Sequence, residues 1–284
     1  MPEEKMHLDR TSPIFIGGLF KSGTTLIRAM LGQHSAIATG LETQWFNIDW
    51  ERVRNDRSYK DIERLGHFYG IDQKKTNQMV SKSNNVTEFL NLFLGYYTRS
   101  LSKKRWAEKT PGNILHLDKI FNSWPSAKVI HVIRDPRDVF ASLKQAKKWD
   151  TCEVFSELWC LYLGAVQQFK KTLDLDHQCF LEIRYETLVV QPRETMRRVI
   201  DFVGEAWEEG IANFQGKQDD YERVLLFTGK ASTTLERLKE PLSRNRIGIW
   251  KDILRGEEIN KIYREVEKKG LLGLMRRIEN GALQ

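Results

Sequence analysis

Cysteine is scarce in this chain: Cys152, Cys160 and Cys179 are the three among 284 residues, and no two stand in a Cys-x-x-Cys pair. That excludes a disulfide framework as the source of stability and fits a reduced compartment with free thiols. No His/Cys cluster has the spacing of metal ligands, so no metal is expected. No apolar run approaches the roughly 18 to 20 residues that cross a bilayer. The opening Met-Pro-Glu-Glu-Lys-Met-His is polar, so the expectation is a soluble, cytoplasmic protein without a membrane span. Internal repeats and low-complexity tracts are also missing. A net charge of +7, from 45 basic and 38 acidic residues, suits a polyanionic ligand. No basic stripe interleaved with aromatics accompanies it, so nucleic acid is not an expected partner. The length fits one α/β domain spanning residues 1–284, and a homodimer is left open.

What is present begins at Ile14–Arg28, Ile-Phe-Ile-Gly-Gly-Leu-Phe-Lys-Ser-Gly-Thr-Thr-Leu-Ile-Arg. A buried-strand pattern runs into glycines and then into a helix start rich in hydroxyls. Glycines allow close backbone approach, and free amides at a helix N-terminus point at an anion. Lys21, Ser22, Gly23, Thr24 and Thr25 are therefore candidate phosphate ligands. Lys21 precedes Gly23, whereas a nucleotide-triphosphatase loop places its lysine after the last glycine, followed by the Ser/Thr that seats magnesium. Taken alone, the segment reads equally well as a structural strand-to-helix turn.

A second unit, Lys128–Ser142, reads Lys-Val-Ile-His-Val-Ile-Arg-Asp-Pro-Arg-Asp-Val-Phe-Ala-Ser. Another strand pattern ends at Arg134, and a helix started by Asp135-Pro136 brings Ser142 back beside the strand end. A guanidinium there grips phosphate with two parallel bonds. Alone, this unit is also compatible with an ordinary helix start carrying solvated arginines.

Together and in this order, the two units resemble the sulfotransferase superfamily. The resemblance continues through Trp-Ala-Glu-Lys-Thr-Pro at 106–111, Arg-Tyr-Glu-Thr-Leu at 184–188 and Gly-x-Trp-Lys at 248–251. It implies a parallel β-sheet flanked by helices in three layers, and 3′-phosphoadenosine 5′-phosphosulfate (PAPS) as sulfuryl donor, leaving adenosine 3′,5′-bisphosphate (PAP). It places the 5′-phosphosulfate on Lys21–Thr25, the 3′-phosphate on Arg134 and Ser142, and Tyr185 by the adenine. Either Arg244 or Arg246 reaches the 3′-phosphate, with Arg246 favoured. Lys21 and Lys109 stand beside the transferring group.

The base is read from the tyrosylprotein branch. The small-molecule branch has a histidine two places after the Lys109 position, where this chain has Pro111. The tyrosylprotein branch has a glutamate in a segment like Gly-Glu-Glu-Thr-Arg, and Gly40-Leu41-Glu42-Thr43-Gln44 resembles it, which makes Glu42 the base. Gln44 replaces that branch's arginine, which counts against a peptide acceptor; the cap carries no readable code, so the acceptor is left as a hydroxyl on a small molecule, glycan, lipid or peptide. The alternatives are a magnesium-dependent kinase or triphosphatase, and a module that holds the nucleotide without turnover.

Strands are expected at 14–17, 105–109, 128–134 and 180–184, and helices at 24–32, 113–121, 136–148, 152–173, 192–203, 207–214 and 257–268. In the first helix, Leu26, Ile27, Met30 and Leu31 should face the sheet while Arg28 and Gln33 face out. Residues 45–104 read as amphipathic helices forming a cap beside the site. His131 is expected in the core; His34 and His116 have no predicted catalytic role.

Overall fold

The computed structural model describes residues 12–56, 59–172, 178–216, 219–230 and 233–281. Five strands, β1 (Ile14–Gly17), β2 (Ile37–Thr39), β3 (Arg105–Lys109), β4 (Lys128–Ile133) and β5 (Phe180–Arg184), form one sheet in the order β2-β3-β1-β4-β5. All four pairings are parallel, with Ile14 opposite both Ala107 and Lys128, and His131 opposite Glu182. Parallel strands require crossovers, and these carry helices onto both faces. The expected three-layer α/β fold is therefore present.

β1 is central, and its Ile-Phe-Ile run is fully buried. Side-chain alternation divides the run between two cores. Phe15 packs with Trp45, Trp106 and Trp124 on one face, its ring 5.5 Å from Trp106 in an edge-on contact. Ile14 and Ile16 join Ile27, Met30, Ile130 and Val132 on the other. A third core, built around Phe140, Phe155 and Trp159, buries one face of the Gly256–Lys268 helix through Ile262 and Val266.

Residues 45–104 are helical as expected, with helices Trp50–Asn55, Lys60–Tyr69, Gln73–Ser81 and Val86–Ser100. Their aromatics all belong to the Phe15 core or pack against it, and Phe68, together with Arg64, also lines a cavity.

Several expectations need correction. Arg28 is fully buried rather than outward-facing, because its Nη1 donates to the Gly40 carbonyl at 3.0 Å and so ties the first helix to the loop after β2. Asn113 does not cap a helix: Pro111–His116 is a 3-10 turn, and the helix that follows is Leu117–Ser123. Residues 207–214 contain only the 3-10 turn Glu209–Ala212. The helix after β4 stops at Gln145, and Lys147 and Trp149 have left-handed φ of 51° and 49°. β2 was not expected, since three residues are too few to set a period. Helices Tyr185–Val190, Asp219–Thr228 and Leu272–Glu279 were also missed. The polar opening residues and the predicted helix end at Leu173 lie outside the described residues.

Candidate active site

Ligands of open parallel sheets sit beyond the carboxyl ends of the strands, where the strand order reverses. Here the order reverses around β1, and the turns after β1, β3 and β4 converge. After β1, Gly18 lies so close to the Val132 carbonyl that a Cβ would collide with it, and its amide donates to the Pro111 carbonyl at 3.0 Å. Lys21 takes a left-handed φ of 67° and Gly23 one of 99°, which turns the chain sharply into the Thr24–Leu31 helix. That helix has no side-chain cap and no acidic residue in its first turn, so its N-terminal amides and positive dipole end are free for an anion.

The turn after β4 is locked to the first. Arg134 donates from Nη1 to the Lys21 carbonyl at 2.8 Å and from Nη2 to the Arg246 carbonyl, and its guanidinium lies 4.5 Å from the Tyr185 ring centre. Tyr185, at the start of its own helix, packs against Gly23, where a Cβ would meet Tyr185 Cδ2 at 2.5 Å.

These turns line a cavity of about 380 Å³. Lys21, Gly23, Thr24, Thr25, Arg134, Ser142, Tyr185 and Arg246 all border it. Ser22 is buried elsewhere, and Arg244 is engaged with the Val190 carbonyl; neither borders the cavity. The donor set suits a polyanion. Ser142 Oγ, Arg134 Nε and Arg246 Nε are buried with no hydrogen-bond partner. Burial, followed by the charges of Arg237, Lys148, Arg246 and Arg134, lowers the Lys21 ammonium from 10.5 to about 8. Burial and the nearby Arg237 and Arg134 also lower Arg246.

A second cavity, of about 400 Å³, holds Glu42 and Lys109. The two cavities share Lys21, Thr24, Thr25 and Thr234, so they meet at the Lys21 ammonium, which donates to Thr234 Oγ1 at 2.9 Å. Lys109 is buried; its Nζ donates to Thr25 Oγ1 at 3.2 Å and pairs with Glu42 Oε1. Arg64 fixes the Glu42 loop by donating to the carbonyls of Glu42 and Thr43, both at 2.8 Å. Phe20 and Trp149 stack at 4.8 Å, and with Phe68 and Leu41 they form an apolar wall.

Some neighbours of the site were not legible in the sequence. Asp138 accepts from the Gly248 and Trp250 amides at 2.8 and 3.1 Å, anchoring the late loop that delivers Arg246; its place in Arg-Asp-Pro-Arg-Asp was the only available signal. Thr234 and Arg237 come from a stretch with no motif. Of the histidines, His131 lies in the core 3.1 Å from Glu182, His34 contacts the Ala206 carbonyl, and His116 packs on Phe46.

Fold and site together define a parallel α/β protein with a polyanion pocket opening onto a second, partly apolar chamber. The family model described as "Sulfotransferase family" matches residues 13–209, and the chain belongs to that family. It is 26% identical over 217 residues to protein-tyrosine sulfotransferase A of Caenorhabditis elegans, covering 73% of this chain and 54% of that protein. It is 23% identical over 260 residues to the protein-tyrosine sulfotransferase of Drosophila melanogaster, covering 87% and 48%. The chain thus spans about half the length of these relatives. The fold is shared with the sulfotransferase domain of the Synechococcus PCC 7002 olefin synthase, with a TM-score of 0.65, 19% identity, and 92% and 95% of the two chains covered.

Proposed function

We propose that this protein transfers a sulfuryl group from PAPS to a hydroxyl acceptor, with the donor in the first cavity and the acceptor in the second. The observation that carries this reading is the shared border: Lys21, Thr24, Thr25 and Thr234 line both chambers. When bound, the donor supplies an electron-poor sulfur and a phosphate leaving group. In-line transfer of this kind builds charge on the bridging oxygen, so preorganised positive donors at that point lower the barrier.

In this reading the amides at Gly23–Thr25 and the hydroxyls of Thr24 and Thr25 hold the 5′ end. Arg134, Ser142 and Arg246 hold the 3′-phosphate, and Tyr185 flanks the base. Lys21 meets the charge that develops on the leaving oxygen. Glu42 takes the acceptor's proton, and Lys109, within reach of both Glu42 and Thr25, orients that carboxylate and faces the transferring group. The wall of Phe20, Phe68 and Trp149 favours a hydroxyl carried on an apolar or aromatic body, consistent with relatives named for tyrosine.

The test is a screen of hydroxyl acceptors with labelled donor, repeated with Glu42→Gln. Turnover should fall by about a hundredfold, within the range general-base catalysis supplies, while PAP affinity holds. Full activity in that variant would remove Glu42 from the role, and no transfer to any acceptor class would favour a binding module.

A further inference from the structure

Adjacent residues of β3 grip adjacent residues of the loop carrying Glu42. Side chains alternate across a strand, so Glu108 and Lys109 point to opposite sides of the sheet. Lys109 pairs with Glu42 on the cavity side. Behind it, Glu108, fully buried, accepts from the Thr43 amide at 3.1 Å and the Thr43 hydroxyl at 2.9 Å. One residue further along, Thr110 Oγ1 accepts from the Gln44 amide at 3.1 Å and donates to Glu108 Oε1 at 2.7 Å. Glu108 Oε2 takes its bond from Asn113 Nδ2 at 2.6 Å. The same Asn113 group donates to the Ile16 carbonyl of β1 at 3.0 Å, and Asn113 Oδ1 receives the Trp45 indole N–H at 3.0 Å.

Burial raises the Glu108 carboxyl above the usual carboxylate range, and the hydrogen bonds from Thr110, Asn113 and Thr43 oppose it; all four contacts are donors, the pattern an acceptor-only carboxylate satisfies. A carboxylate this deep is expensive unless every oxygen is engaged, so the network is stable only with this loop in this register. Stability alone does not require a charge here; an apolar residue would fill the space more cheaply. What the charge provides is a fixed distance between the loop, the end of β3 and the end of β1, which starts the phosphate turn.

We infer that Glu108 is a positioning residue for catalysis: by holding Thr43 it sets where the Glu42 carboxylate stands relative to Lys109 and Lys21. The inference rests on Glu42 being the base, and it assigns Glu108 no contact with either substrate. Glu108→Gln keeps the volume but sets an amide N–H₂ against the N–H₂ of Asn113 or against the Thr43 and Thr110 donors. The Glu42 loop should then lose its register, and misplacement of a reacting group by about 1 Å costs on the order of a hundredfold in rate.

The test is a double-mutant cycle, using labelled donor and the acceptor found in the screen above, with PAP affinity measured in parallel. Glu108→Gln should lower kcat by about tenfold to a hundredfold with PAP affinity unchanged, and should add nothing when built into Glu42→Gln. A crystal structure of Glu108→Gln should show Glu42 parted from Lys109, a readout that needs no acceptor. Equal losses in both backgrounds, or an unmoved Glu42, would overturn the positioning role while leaving Glu42 as base. Full kcat in Glu42→Gln alone would instead defeat the base reading and this inference with it. Should Glu108→Gln fail to fold, Thr43→Val, which removes one donor and keeps the shape, carries the same cycle with a loss of about threefold to tenfold.

Discussion

Arg134 donates a 2.8 Å hydrogen bond to the backbone carbonyl of Lys21. The two residues are 113 apart in sequence, and the bond joins the turn after β4 to the turn after β1. Each turn could bind an anion alone. Bonded together, they present their donors at a fixed separation, as a ligand with two phosphate-bearing ends requires.

Lys21→Ala should reduce turnover by about a hundredfold to a thousandfold, the usual effect of deleting one donor from a preorganised site. Nucleotide affinity should fall as well, because the ammonium borders the anion pocket. Steady-state kinetics and PAP titration separate the two effects. Unchanged turnover would place the leaving-group charge elsewhere.

Lys21 also predicts a proton signature. In the free protein burial and the surrounding cations hold it at about 8, whereas a bound polyanion favours the charged form. At pH 8 PAP binding should therefore take up a fraction of a proton, measurable by calorimetry in buffers of different ionisation heat and absent in Lys21→Met. Affinity should weaken as pH rises through 8. For the free protein the sign is opposite. A lysine lowered from 10.5 to about 8 opposes folding fully below pH 8, and the penalty is relieved between 8 and 10.5 because the unfolded chain binds more protons there.

Ser142→Ala should separate the two phosphates. The hydroxyl is buried without a partner, so its removal should leave the melting temperature nearly unchanged. PAP binding should weaken by about tenfold while adenosine 5′-phosphate binding stays constant, since a hydrogen bond to a charged group contributes roughly that much. Equal losses for both nucleotides would count against a 3′-phosphate at Ser142.

Gly23→Ala should damage both stability and the nucleotide site. A left-handed φ of 99° costs a side chain about 1–2 kcal/mol, and the new Cβ would strike Tyr185 at 2.5 Å. A lower melting temperature together with weakened PAP binding is the expected pair of readouts.

Acid should weaken the edge of the sheet at Glu182. Burial opposes its charge, but His131 and Lys170 outweigh burial and hold the carboxyl at about 2 instead of 4.5. The stability this contributes is complete above pH 4.5 and is lost as pH falls toward 2. Urea midpoints across that range should drop less steeply for Glu182→Gln than for the parent.

The sequence by itself determined the parts that are local. Ile14–Thr25 and Lys128–Ser142 each carry their strand, turn and helix start within one short segment, so each is legible as a candidate anion-binding turn, and the two in this order carried the resemblance that neither carried alone. The Arg134-to-Ser142 spacing works for the same reason, since one turn and a helix set it. Tertiary structure decided what depends on segments far apart in the chain. Arg28 looks like a surface residue by periodicity, yet it is buried because Gly40 presents a carbonyl to it. Glu108 looks like one letter in a motif until Thr43 and Asn113 close around it. Thr234 reaches Lys21 across 213 residues from a stretch with no pattern of its own. A periodic code records which face of an element is apolar; which polar groups meet at that face is fixed only when the layers pack and each buried donor has to find an acceptor.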